Sequence, residues 1–131
     1  MTTKFIAVAF ATVWACCPAI AQEAKPDLLL KEVVAGMPTA DKQEIKVLTA
    51  ILKPGDKTPF HTHAYPVTAY VLEGTFTLEM EGRAPITVKA GQSLVEPPNV
   101  KMTGYNRGTE PMKIVIFYVS GPNEPFLHVA H

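Results

Sequence analysis

His61 and His63 are the residues whose types and spacing most directly offer chemistry. On an extended strand, side chains at i and i+2 project to the same side, so the two imidazoles point together. Two convergent imidazoles are a natural partial site for a transition metal. Tyr65, Val67 and Ala69 continue that face if the strand stays regular, although Pro66 argues for a bend. The two remaining histidines, His128 and His131, end a proline-bearing tail and read as solvent-exposed.

The elements that must position this pair are short strands. Glu44 to Leu52 alternates, with Ile45, Val47 and Thr49 on one side and Lys46, Leu48 and Ala50 on the other. Val67 to Glu73 is rich in β-branched and aromatic residues. Gly74 and Glu81-Gly82 mark hairpin turns around Thr75 to Met80, leading into Pro85 to Lys89. Ser93 to Glu96 is a short strand stopped by Pro97-Pro98. Val100 to Asn106 and the strongly apolar Ile114 to Val119 follow. Phe60 to His63 and an edge segment, Leu28 to Val34, complete the count. No stretch after residue 21 carries a helical period. This pattern predicts an all-β domain, either a sandwich or a single antiparallel jelly-roll barrel.

The first residues read as processing signal. Lys4 precedes an apolar run, Phe5 to Ala15, and Ala19-Ile20-Ala21 has the small-x-small form of a cleavage site. Cleavage after Ala21 predicts a periplasmic or secreted protein, a signal peptide over 1–21 and a domain over 22–131. The run is short for a bilayer span, so no transmembrane anchor is expected. Both cysteines, Cys16 and Cys17, leave with that signal. The remaining chain then has no thiol for a disulfide, a nucleophile or a thiolate metal site. Twelve basic side chains balance twelve acidic ones, which leaves no field to hold nucleic acid.

The stretch Gly55 to Gly74 resembles the first motif of the cupin superfamily, with Gly55, His61, His63 and Gly74 at the family's spacing. Gly91, Pro97 and Asn106 match the second motif. The resemblance spans roughly Leu28 to Ser120 and implies a cupin barrel with a metal site. Three positions depart from it: Val67 stands where the family's glutamate ligand falls, Asn99 where its glycine falls, and Met102 where its third histidine falls.

Taken over residue by residue, the resemblance leaves His61 and His63 as ligands, with the Met102 thioether in place of an imidazole. Such a donor set favours copper over zinc, manganese or iron, and modest oxidoreductase-type chemistry on a small molecule. Tyr65, Val67, Tyr70, Tyr105 and Asn106 are the expected pocket residues. A second reading stands beside this one: a metal-free, non-catalytic barrel that binds a small organic or sugar-like ligand through the histidines. A homodimer formed through an edge strand fits either reading.

Overall fold

The computed structural model describes residues 23–131. The expected signal segment, its cleavage position and both cysteines lie outside that range. Among the described residues there is no helix, and hence none long and apolar enough to cross a membrane. Nine strands form two antiparallel sheets. The first sheet has the order β1-β8-β3-β6, from Glu44–Leu52 (β1), Met112–Ser120 (β8), Val67–Glu73 (β3) and Ser93–Glu96 (β6). The second has the order β5-β4-β7-β2-β9, from Ile86–Lys89 (β5), Thr75–Met80 (β4), Met102–Tyr105 (β7), His61–Thr62 (β2) and His128–Val129 (β9). The sheets face each other across one apolar core. The expected barrel is therefore realised as two facing sheets, with no ladder joining them among the described residues.

Period-two alternation decides what enters the core. From β3 the buried residues are Val67, Ala69 and Val71, and from β4 they include Phe76, Leu78 and Met80. Strand β8 contributes Met112, Ile114 and Tyr118. Strand β1 reverses the usual preference. Its apolar row Ile45, Val47 and Ile51 is exposed, while Lys46 turns inward. The Lys46 ammonium is satisfied there by the Glu44 carboxylate at 2.6 Å, the Ser120 hydroxyl at 3.2 Å and the Glu124 carbonyl at 2.9 Å.

Three expectations are corrected. Leu28 to Val34 pairs with no strand; Leu30 and Val34 instead lie against the outer face of the first sheet, beside Phe117 and Val119. The strand expected over Val100 to Asn106 is limited to Met102–Tyr105, because the turn of Pro98 and Asn99 delays its start. The tail is not loose. It returns across the molecule and pairs with β2, Thr62 opposite His128 and His61 opposite Val129.

Two turns explain how the strands around the histidines are set. Gly74 adopts a φ of 73°, and a Cβ there would fall 2.8 Å from both the Met112 Cβ and the Pro111 carbonyl oxygen. Asn99, at the position of the family's glycine, holds a φ of 60°, a region that Asn tolerates better than most residues. Its backbone N–H donates to the His63 carbonyl at 2.8 Å, tying this turn to the histidine segment.

Gly74→Ala is expected to destabilise the fold by about 1–2 kcal/mol from backbone conformation alone, and by more once Met112 is displaced. A urea denaturation midpoint checks this. An unchanged midpoint would contradict the close approach.

Candidate metal centre

His61 and His63 reach the interior from the second sheet and from the residue just past its strand β2. Both are buried, and their ring centroids lie 4.7 Å apart at an interplanar angle of 81°. Each Nδ1 is held by a main-chain carbonyl: His61 Nδ1 by Pro59 at 2.7 Å, and His63 Nδ1 by Phe126 at 2.6 Å. A carbonyl only accepts, so each Nδ1 carries the proton and each neutral ring has a bare lone pair on Nε2. Those two Nε2 atoms are 3.0 Å apart.

A third acceptor joins them. Glu96, buried at the end of β6, places Oε2 3.1 Å from His63 Nε2. The three ligand atoms all lie within 4.8 Å of one another. Two lone pairs and a carboxylate converge with no hydrogen of their own to share. Such an arrangement is stable only when something positive sits among them, either a proton or a cation.

Glu96 is absent from the expected ligands, and the ladder explains how it arrives. Val67, at the family's glutamate position, pairs directly with Glu96 on β6 and with Tyr118 on β8. Directly opposed residues of an antiparallel pair project to the same face. The carboxylate has thus moved one strand sideways while keeping its direction into the core. The readable signal was the segment Ser-Leu-Val-Glu: Leu94 and Glu96 share a face, so a buried Leu94 implies a buried carboxylate two residues on. The loss of an anionic oxygen, the premise that favoured copper, is corrected by this residue.

The remaining expected residues separate. Met102 is fully buried in the apolar core and pairs directly with His61, so its side chain lies on the histidines' side of the sheet. Val67 is fully buried. Tyr65 stands in the loop after His63, its ring 6.4 Å from that of Tyr118. Tyr70 alternates out of phase with the buried residues of β3 and so faces away from the core, while Tyr105 lies beside Thr103 on the other side of β7, near Phe60 and Glu79. Arg107 stacks on the Tyr105 ring at 4.5 Å. Asn106 is buried but fully engaged: its Nδ2 donates to the Leu52 and Glu110 carbonyls at 2.9 and 2.8 Å, and its Oδ1 accepts from the Gly108 N–H at 2.9 Å. It clamps two loops, and both of its N–H donors are spent on backbone carbonyls.

The cluster opens onto a cavity of about 190 Å³ between the sheets. Ile114 and Ile116 wall it from one sheet, Phe76 and Leu78 from the other, and Phe126 and Leu127 of the tail cover it. Gly104 lines it too. A Cβ on Gly104 would collide with the Phe76 ring, so its bare backbone makes room for that aromatic wall.

Comparison with known proteins agrees with this architecture. A sequence model of the cupin domain family matches residues 48–118. The chain belongs to the cupin family. No curated protein matches it. Among solved structures, a DMSP lyase, DddQ from Ruegeria pomeroyi DSS-3, superposes with a TM-score of 0.57 at 19% identity, over 66% of this chain and 43% of that one. The chain therefore spans less than half of that lyase. A conserved protein from Klebsiella pneumoniae with a double-stranded β-helix domain gives 0.58 at 21%, over 76% and 90%. An RmlC-like cupin family protein from Methanocaldococcus jannaschii gives 0.54 at 22%, over 70% and 91%. At these identities the likeness is one of fold.

Burial holds the His61 pKa below the ordinary imidazole value, and the nearby His63 adds to this. The Pro59 carbonyl and Glu96 act in the opposite direction. The folded chain therefore favours neutral His61, while the unfolded chain titrates near pH ~6.5. The unfolded state binds more protons below that pH, so the stability from His61 is complete above it and is lost as pH falls further, through the folded value. In metal-free protein, the stability difference between wild type and His61→Phe is expected to change in that acidic window and to be flat above pH ~7. Denaturation at a series of pH values checks this.

The Phe126 carbonyl comes from the tail, so the tail orients a candidate ligand. Deleting residues 122–131 is expected to weaken metal affinity by about 10- to 100-fold, the usual scale for losing such an orienting partner. A competition titration against a chelator would measure it, with circular dichroism checking that the sheets persist.

Proposed function

We propose that this cupin binds one divalent transition-metal ion through His61 Nε2, His63 Nε2 and the Glu96 carboxylate, and acts there on a small molecule held in the adjoining cavity. The observation that carries the reading is the convergence of two bare Nε2 atoms and a buried carboxylate with no proton of their own to share. Two neutral nitrogens and one carboxylate oxygen on one side of an ion form the facial set associated with open-sided iron sites, and manganese and zinc accept the same donors. Spacing supports it. Nitrogens about 2.1 Å from one ion lie about 3.0 Å apart at a right angle and about 3.4 Å apart at the tetrahedral angle. The observed separation is 3.0 Å.

When bound, such an ion supplies Lewis acidity and open coordination positions for a substrate or oxygen. The chain's own residues do the rest. Pro59 and Phe126 lock both tautomers, Glu96 supplies the negative charge, and the apolar walls keep water from competing. Copper remains the alternative if the Met102 thioether joins the set, because Met102 lies on the His61 side of the ladder. The sequence supports export to the periplasm or beyond. The exposed apolar row of Ile45, Val47 and Ile51 supports a homodimer.

The test is elemental analysis of purified protein offered iron, manganese, zinc and copper in turn. About one ion per chain is expected in wild type, with affinity reduced by at least tenfold in Glu96→Gln and lost in His63→Ala. Met102→Leu is expected to leave iron, manganese or zinc uptake unchanged. Copper uptake that requires Met102 and ignores Glu96 would overturn the assigned donor set, and no uptake of any metal would end the reading.

A further inference from the structure

The cavity beside the cluster restricts what can bind there. Among the described residues, its only polar side chains are His61, His63, Glu96 and Thr58. The Thr58 hydroxyl is already spent: it donates to the Pro59 carbonyl at 3.1 Å and accepts from the Gly104 N–H at 2.9 Å. Among the described residues no lysine or arginine lines the space. The nearby ammonium groups are engaged elsewhere, Lys46 with Glu44, Ser120 and Glu124, and Lys101 with the His131 carbonyl and the Phe60 ring. An occupant has one polar anchor point, the metal cluster, and hydrocarbon everywhere else.

Charge narrows this further. A divalent ion, two neutral imidazoles and one carboxylate sum to a single positive charge. In a largely apolar pocket that charge favours one negative partner. A neutral ligand leaves the excess uncompensated, and a dianion reverses it with no cation in the walls to help. A polyol such as a sugar would leave its hydroxyls without partners. Size sets the remaining limit. A dry cavity of roughly 150 Å³ lined by Leu, Ile and Phe accommodates benzene, and this one has about 190 Å³.

Resting on the metal site proposed above, we infer that the ligand class of this cavity is a small monoanion: one carboxylate, enolate or phenolate oxygen on a hydrocarbon body of roughly four to eight carbons. The oxygen faces the His61–His63–Glu96 cluster, and the hydrocarbon lies between Ile114 and Ile116 on one side and Phe76 and Leu78 on the other.

The experiment uses the full chain loaded with Co(II), whose ligand-field bands report the coordination shell, with cobalt content measured independently. Crotonate, fumarate and crotonamide are titrated in parallel. All three carry the same trans C=C joined to one carboxyl-level group, and they differ in charge: one negative, two negative and neutral. Crotonate is expected to shift the bands saturably, at a concentration at least tenfold below either of the others. Fumarate or crotonamide binding as well as crotonate would overturn the inference.

Size is tested with benzoate on wild type and Ala50→Leu, because Ala50 lines the cavity without touching the charge balance. The variant is expected to keep its cobalt and to bind benzoate at least tenfold more weakly. Unchanged benzoate binding would place the ligand elsewhere and overturn the inference. Failure of cobalt to enter wild type would instead remove the metal site itself, and this ligand class with it. Normal cobalt bands without charge selectivity would remove only the ligand class.

Discussion

The site depends on two main-chain carbonyls that dictate where two protons sit. Pro59 and Phe126 each accept from a histidine Nδ1, and this leaves both Nε2 lone pairs bare. Without those carbonyls either ring is free to switch tautomer, and one Nε2–H then donates to the other ring or to Glu96. The chain would satisfy itself and hold nothing. With them, the interior contains three electron-rich atoms that repel one another. A fold that keeps such a cluster dry bears a destabilisation that is relieved only by a cation or a proton. The two carbonyls lie 67 residues apart in the sequence, Pro59 just before β2 and Phe126 just before β9. The pairing of β2 with β9 is what brings them to one place.

The placement of the carboxylate bears on which feature a cluster able to hold a metal must preserve. Coordination requires an atom in a position and does not require a particular strand to deliver it. Val67 and Glu96 face each other across one ladder, so a carboxylate from either enters the same layer of the core. Asn99 works in a similar way. It occupies a glycine's position and reaches a positive φ, so the turn into β7 survives without the glycine. Both departures from the family's motif leave the geometry near the histidines serviceable, although the residues that create it have changed.

How much of this was readable from the chain follows from the range of each interaction. The strands at β1, β3, β4, β6 and β8 are written in alternation and turn residues, which are local. The shared face of His61 and His63 is local as well, since i and i+2 suffice. Glu96 was hidden because its role depends on pairing between residues 67 and 96, and motif positions taken one at a time do not report cross-strand neighbours. Tyr70 and Tyr105 stand apart from the cluster for a simpler reason. Tyr70 lies one residue out of phase with the buried positions of β3, and Tyr105 shares a side of β7 with Thr103, away from the cavity. The tail was unreadable because two residues of β9 carry no period. Their stability comes from contacts with Phe60 and β2 that exist only in the folded chain.

The same principle accounts for the uneven character of the interior. Along one line across the first sheet, Tyr118, Val67 and Glu96 face inward, and the Tyr118 hydroxyl is buried without a partner among the described residues, the backbone of Ala64 and Tyr65 lying near it but outside hydrogen-bonding geometry. Burial raises the pKa of that phenol and keeps it neutral. Further from the histidines, toward Val71, Val88 and Met112, the core is wholly apolar. Cohesion and chemistry are therefore divided along the length of the sandwich. The apolar end supplies the burial that holds the sheets together. The polar end uses that rigidity to keep unsatisfied groups in place, and a looser core would let Glu96 and the histidines relax apart or admit water. The cavity lies at the boundary, with hydrocarbon from one end and the charged cluster from the other. Its position there follows from the same inward-facing rows that build the fold.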